Sequence, residues 1–137
     1  MSEKDCLLCR IVRGEVPCKK VYEDKEFLAF LDIRPVNPGH TLVVPKVHAK
    51  NLFDFPKAEE TDLIEFIKKV AGAVVKATNA DGFNLGLNNG GAAGQIIHHA
   101  HFHIIPRFGD DGLRHWPHQD YKEGKIEEVQ KKIKSFL

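Results

Sequence analysis

The spacing of apolar residues along the chain predicts three helices and several strands. Helical periodicity, with apolar residues every three or four positions, covers residues 5–13, about 57–78 and the charged stretch 122–137. Runs rich in β-branched and aromatic residues predict strands at about 20–32, 40–45, 83–88 and 96–105. Gly14 ends the first helix, and the Asn-Ala-Asp-Gly stretch at 79–82 ends the second.

Short links between the strands predict the fold class. Residues 34–39 form a loop rich in proline and glycine, and residues 88–94 form a hairpin-like link, whereas parallel neighbours would need long crossovers. We therefore expect an α+β fold, with an antiparallel sheet of about five strands, one long helix, a short N-terminal helix and a C-terminal helix. A chain of 137 residues is typical of one domain, taken as 1–137.

Charge and composition limit the classes of binding partner that the chain is expected to have. Twenty basic residues face 19 acidic ones, and a net charge of +1 provides no field for gripping a polyanion. A small ligand is favoured over nucleic acid. No apolar run reaches the roughly 18 residues of a membrane span, and the N-terminus lacks a signal-peptide pattern, so we expect a cytoplasmic protein without membrane contact. Three cysteines in such a chain favour reduced thiols or a metal over disulfides.

Alternating histidines mark the candidate chemistry. In a strand, side chains two apart share a face, so His99, His101 and His103 would line up while Ala100, Phe102 and Ile104 face the core. His98 would point the other way and be structural. Two alternatives stay open for the residues alone: a solvated polar strand face, or a metal site made by the trio itself.

The run QIIHHAHFHII at residues 95–105, preceded by Gly94, resembles the alternating motif of the histidine-triad (HIT) family. Similar segments lie at residues 15–17, 21–24, 28–33, 38–40 and 45–48 and at Asn88, and only the tail from about 108 to 137 is loosely covered. The resemblance implies a HIT-like fold that forms a homodimer.

The resemblance also implies an activity. His99, His101 and His103 would be the catalytic histidines, with His101 attacking the α-phosphorus of a nucleotide to give a nucleotidyl-histidine that water hydrolyses. His103, Gln95 and amides around Gly94 would donate to phosphate oxygens. The implied reaction is hydrolysis of nucleoside 5′-phosphoramidates or related purine nucleotide conjugates. Alternatives are dinucleoside polyphosphate hydrolysis, and a non-catalytic nucleotide-binding regulator or scaffold.

The same resemblance places a nucleotide pocket. Asp32 would bind the ribose hydroxyls, and Asn88 would lie near phosphate and ribose. The residues that would sandwich the base are Leu8, Ile11, Phe30 and Ile33. From the residues alone, Asp32 also fits a turn former, the four apolar residues fit a core equally well, and Asn88 fits a hairpin turn. Ile96 replaces a serine or threonine of several relatives, which puts phosphoramidase efficiency in question.

Cys6 and Cys9 have the Cys-x-x-Cys spacing of half a zinc site. Two buried thiols or a redox pair are the alternatives, although the βαβ pattern expected of the redox pair is missing. The resemblance implies a structural zinc held by Cys6, Cys9, His48 and His99, and Cys18 would be inert.

The stretch HWPH at residues 115–118 resembles a piece near the end of some family members, where the tryptophan approaches the partner subunit's site. That resemblance implies a homodimer with Trp116 at its interface. A buried core tryptophan is the alternative.

Overall fold

The computed structural model describes residues 3–57 and 60–137, with the side chains of residues 60 and 61 outside that description. Its α-helices are α1 (Leu7–Val12), α2 (Glu60–Thr78) and α3 (Lys125–Lys134). Its strands are β1 (Lys20–Glu23), β2 (Phe27–Leu31), β3 (Thr41–Pro45), β4 (Gly82–Leu87) and β5 (Phe102–Arg107). Short 3₁₀ turns lie at Leu52–Asp54 and Gly91–Ala93.

The five strands form one sheet in the order β1-β2-β3-β5-β4, and every neighbouring pair is antiparallel. This confirms the predicted α+β class. The predicted run at 20–32 is a hairpin of two strands, because the Asp24 carboxylate accepts hydrogen bonds from the Glu26 and Phe27 amides, both at 2.8 Å, and turns the chain. β3 is the central strand, and β5, which carries His103, pairs with it.

Helix α2 covers one face of the sheet. Its apolar stripe, including Leu63, Ile67, Val70 and Val74, is buried against strand residues that include Phe27. The helix ends where the sequence predicts, because Asn79 adopts a left-handed conformation with φ of 55°. The predicted start of this helix, at about residue 57, is followed by residues 58 and 59, which lie outside the described residues.

Helix α1 packs against the opposite side of the sheet and forms a second, smaller core. Leu8 and Cys9 of this helix join Leu28, Phe30 and Val44 in that cluster. The helix spans six residues and is shorter than predicted, but Gly14 with φ of 77° follows it as expected. The N-terminal segment is thereby fixed beside strands β2 and β3.

The predicted strand at 96–105 is wrong in its first half, since β5 begins only at Phe102 and extends to Arg107. The preceding chain leaves the sheet: the Ala100 amide donates to the Ala49 carbonyl at 2.7 Å instead of joining the β3 ladder. Residues 112–137 lie on the surface, and the C-terminal helix α3 is shorter than the predicted 122–137. No helix within the described ranges is long and apolar enough to cross a membrane.

Candidate active site and metal centre

His101 lies at the entrance to β5, and a single backbone contact sets the tautomer of its neutral ring. Its Nδ1 lies 2.7 Å from the carbonyl oxygen of His99. A carbonyl only accepts, so Nδ1 carries the proton and Nε2 keeps the lone pair. The half-buried ring therefore offers an in-plane lone pair, as a nucleophile requires.

His103 follows on the same side of β5, with its ring centroid 5.0 Å from that of His101. Its Nδ1 lies 2.9 Å from Nε2 of His40, and its buried Nε2 has no hydrogen-bond partner in the part of the chain that is described. Burial, reinforced by the neighbouring His101 and His40, lowers the pKa of His103 from 6.5 to about 4. His103 is therefore a neutral imidazole at pH 7.

His99 departs from the predicted arrangement. The sequence predicts three imidazoles on one strand face, but His99 is fully buried and belongs to a different cluster. The physical reason is that the extended backbone starts at Phe102, so the two-residue alternation does not reach back to position 99. His101 and His103 share a face, while Ala100, Phe102 and Ile104 are buried as predicted.

A cleft of about 690 Å³ opens in front of His101 and His103, and we call it the histidine cleft. It gathers nine of the ten predicted nucleotide-binding residues: Leu8, Ile11, Phe30, Asp32, Ile33, Asn88, Gly94, His101 and His103. They come from α1, the end of β2, the β4–β5 link and β5. The cleft is also lined by residues that the sequence does not predict, including Val16, Arg34, Leu42 and Ile97. The sequence does contain a signal for Arg34, because it is a cation two positions after Asp32.

The apolar end of the cleft combines core and surface residues. Leu8 and Phe30 are 2% and 5% exposed and belong to the smaller core, so they serve packing and line the cleft at once. Ile33 and Ile96 are both 88% exposed, which packing within one chain does not explain. An apolar ligand face would cover them.

Asp32 makes the turn that one of its two predicted roles requires, and it also lines the histidine cleft. Its Oδ1 accepts a hydrogen bond from the Arg34 amide at 2.8 Å, which is the turn-forming contact. Its Oδ2 lies 3.8 Å from Nε2 of His40, beyond hydrogen-bond distance. One carboxylate oxygen at the cleft wall is therefore available to a ligand hydroxyl.

Gln95 does not line the cleft, and its polar atoms are used inside the loop. Its side-chain nitrogen donates to the carbonyls of Lys50 at 2.6 Å and Ile97 at 3.1 Å, and its oxygen accepts from the Gly90 amide at 2.9 Å. Gln95 shapes the loop, while Gly94, with φ of 93°, lines the cleft beside Asn88. A side chain at Gly94 would be strained and would crowd the Asn88 amide at 3.4 Å.

The predicted metal ligands Cys6, Cys9, His48 and His99 converge into one cluster, which we call the cysteine–histidine cluster. Nδ1 of His99 lies 3.5 Å from Sγ of Cys6, 3.4 Å from Sγ of Cys9 and 3.2 Å from Nδ1 of His48. Sγ of Cys9 lies 3.3 Å from Nδ1 of His48. These separations suit four ligand atoms around one tetrahedral ion with bonds of about 2.0–2.3 Å.

The protonation pattern favours a cation at this cluster. Nε2 of His99 lies 2.8 Å from the Pro45 carbonyl and must donate to it, so the Nδ1 lone pair points at the two sulfurs. Burial and the neighbouring Cys6 raise the pKa of the Cys9 thiol to about 12. A bound cation would reverse that shift by stabilising the thiolate. Residues of this chain could thus hold a metal away from the histidine cleft.

Trp116 is 82% exposed, so the buried-core alternative is wrong. It lines a second cleft of about 590 Å³, to which His103, Arg107 and Arg114 also contribute. Phe83 and Leu85 on the edge strand β4 are 43% and 47% exposed. The homodimer stays a prediction, because a single chain does not test it.

Comparison with known proteins identifies the family. The HIT domain model matches residues 13–110, and the chain belongs to the HIT family. An uncharacterised HIT-like protein of Methanocaldococcus jannaschii is 46% identical, over 94% of this chain and 98% of its own. The adenosine 5′-monophosphoramidase hnt1 of Schizosaccharomyces pombe is 39% identical over the same shares.

Solved structures agree with this assignment. The chain resembles a Streptococcus mutans protein with a TM-score of 0.90 and 41% identity, covering 98% of this chain and 86% of that one. A zinc-bound histidine triad family protein of Mycobacterium smegmatis is similar with a TM-score of 0.77 and 35% identity, covering 99% and 100%. Cys6 and Cys9 precede the matched range, so the fit of these ligands rests on their geometry.

Proposed function

We propose that this protein hydrolyses nucleoside 5′-phosphoramidates, or related purine nucleotide conjugates, through a nucleotidyl-histidine intermediate. The observation that carries the proposal is the hydrogen bond from Nδ1 of His101 to the His99 carbonyl, which leaves Nε2 as a nucleophile in the histidine cleft. The name of the Schizosaccharomyces pombe relative supports the substrate class.

In the first step, Nε2 of His101 forms a bond to the α-phosphorus and the P–N bond to the amine breaks. The amine leaves with the bonding electrons and takes a proton from solvent. His103 is neutral, lies one strand step away, and has a buried Nε2 with no partner among the described residues, so it would donate to a phosphate oxygen as charge builds. The His99 carbonyl stabilises the positive charge that develops on the His101 ring.

In the second step, water attacks the phosphorus and the bond to Nε2 of His101 breaks. The water loses a proton to solvent, the nucleoside monophosphate leaves, and the neutral imidazole is restored. Both steps exchange one group at phosphorus, so the same donor would stabilise the charge on the phosphate oxygens in each step.

Substrate recognition follows from the two ends of the cleft. The apolar end, which includes Leu8, Ile11 and the exposed Ile33, offers a planar base a hydrophobic slot. The free oxygen of Asp32 is suited to a ribose hydroxyl. A purine would cover more of this apolar wall than a pyrimidine.

The cysteine–histidine cluster would hold a structural zinc through Cys6, Cys9, His48 and His99. Four protein ligands close the shell, and such a zinc supplies folding energy and no activated water. We further propose that two chains associate, with Trp116 and the exposed edge strand β4 at their interface. Sedimentation of the parent chain and of a Phe83→Asp variant would test that association.

The enzyme assignment is tested by His101→Ala. We expect the variant to fold and bind adenosine monophosphate but to release it from adenosine 5′-phosphoramidate at least about a thousandfold more slowly, because the nucleophile is lost. His98→Ala is the matched control, since His98 is exposed and lies outside the cleft. A binder without catalysis would leave both variants and the parent equally inactive.

A further inference from the structure

The loop before β3 places a backbone donor against a buried histidine. The Val36 amide lies 3.1 Å from Nδ1 of His40 and donates to it, so Nδ1 holds a lone pair. Burial lowers the pKa of His40, which keeps its ring neutral. A neutral imidazole carries one proton, and that proton is therefore on Nε2 of His40.

The proton on His40 in turn determines the tautomer of the His103 ring. Nε2 of His40 lies 2.9 Å from Nδ1 of His103, while the Asp32 carboxylate is 3.8 Å away. The His40 proton is thus donated to His103, whose Nδ1 accepts. The single proton of neutral His103 then lies on Nε2, the buried atom that has no partner among the described residues.

We propose that His40 is a positioning residue that fixes His103 as the Nε2–H tautomer, with the Val36 amide setting the direction of the whole chain of donors. Nε2–H of His103 is then a preset donor toward an anionic oxygen in the histidine cleft. That the anion is a nucleotide phosphate rests on the proposed function. The tautomer of His103 does not depend on that function. The histidine motif does not predict the hydrogen bond from the Val36 amide to His40.

The orientation has a chemical consequence. In the opposite tautomer, Nε2 of His103 would turn a lone pair toward the phosphate oxygens and repel them. Reversal would also require Nδ1–H of His40 to face the Val36 N–H, leaving two donors opposed at 3.1 Å. The Val36 amide therefore disfavours the Nδ1–H tautomer of His103, although it contacts that ring only through His40.

A second reading of the same residues is a metal site, since Asp32, His40 and His103 bring three ligand atoms together. A shared metal needs lone pairs on both facing nitrogens of His40 and His103. The Val36 amide assigns a proton to Nε2 of His40, and that proton occupies the 2.9 Å gap. The geometry points to a proton between these rings in place of a metal.

Nitrogen-15 NMR of the full-length, zinc-supplemented protein at pH 7 tests the proposal directly, because two-bond nitrogen–proton correlations distinguish the two nitrogens of each ring. We expect Nε2 to be protonated in both His40 and His103 and Nδ1 in neither. Adding adenosine monophosphate should shift the His103 Nε2–H signal. Finding His103 protonated on Nδ1, or unshifted by bound nucleotide, overturns the proposal.

Two substitutions separate positioning from simple packing. His40→Gln keeps an N–H group at about the position of Nε2, whereas His40→Leu fills the space without a donor. We expect kcat to fall on the order of 100-fold in His40→Leu, the cost of one oxyanion donor, with KM changed less than threefold. His40→Gln should recover most of kcat. Equal activities in the two variants at equal melting temperatures would contradict the proposal.

Failure of the proposed function would look different. If the parent protein did not cleave phosphoramidates, the tautomer of His103 and its response to adenosine monophosphate would still be measurable. In His40→Leu the His103 ring should then show a mixture of both tautomers, and unchanged Nε2 protonation in that variant would refute the positioning role.

Discussion

The carbonyl oxygen of His99 lies 2.7 Å from Nδ1 of His101, while the His99 ring itself belongs to the cysteine–histidine cluster. His99 therefore connects two sites, because its side chain belongs to the candidate metal site and its backbone carbonyl holds the proposed nucleophile, His101. Movement of the His99 ring would move the carbonyl that sets the His101 tautomer. The metal centre would act on catalysis through this one residue.

This relationship predicts the effect of removing a metal ligand. Cys9→Ser should lose near-stoichiometric zinc, and its melting temperature should fall by roughly 10 °C, since a loss of about 3 kcal/mol has that effect in a domain of this size. Turnover should fall because the His99 carbonyl shifts, while His101 remains intact. Zinc content by elemental analysis, a thermal melt and an activity assay measure the three effects.

Cys18→Ser is the control for that experiment, because Cys18 lies outside the cysteine–histidine cluster. It should keep its zinc and its melting temperature. If Cys9→Ser retains metal and stability, the cluster is two buried thiols beside two histidines and carries no zinc.

The pKa of His103 predicts how folding stability depends on pH. Burial lowers that pKa to about 4, whereas an unfolded histidine titrates near 6.5, so the unfolded chain binds more protons between these values. The free energy of unfolding should therefore be fully developed above pH 6.5 and decline as the pH falls toward 4. Burial lowers the pKa of His40 as well, which adds to the decline.

Urea unfolding of the zinc-supplemented protein at pH 7.5, 6.0 and 5.0 measures this slope. His103→Gln is the matched variant, because glutamine keeps a polar side chain but does not titrate. It should show a shallower decline than the parent over the same interval. Parallel slopes in the two proteins would mean that His103 does not contribute.

The sequence predicts the parts of the site that depend on short-range pattern. The His-x-His spacing places His101 and His103 on one face, and the Cys-x-x-Cys spacing at the start of α1 places two thiols together. The strand at 96–105 was predicted too early because alternation in sequence does not show where the chain leaves the sheet. The point at which the chain leaves the sheet depends on the Ala100–Ala49 hydrogen bond, which joins segments distant in sequence.

Tertiary contacts decide the remaining roles. Gln95 is an equally good phosphate donor by residue type, and only its bonds to Lys50, Ile97 and Gly90 show that it shapes a loop. The contact of His40 with His103 spans 63 positions of sequence, and no spacing rule connects them. Protonation states in particular follow from three-dimensional partners.

Asp32 gives the prediction that tests nucleotide recognition most directly. Its Oδ1 is held by the Arg34 amide, so Oδ2 is the atom presented to a ribose hydroxyl. In Asp32→Ala, binding of adenosine monophosphate should weaken by about 1–3 kcal/mol, the cost of losing charge-assisted hydrogen bonds. Binding of the 2′-deoxy nucleotide should weaken clearly less, because that ligand brings fewer hydroxyls to the carboxylate. Calorimetric titration of both ligands against both proteins measures the difference, with Asp32→Asn as the control that preserves the acceptor and the turn. Equal losses for the two nucleotides would assign Asp32 to the turn alone.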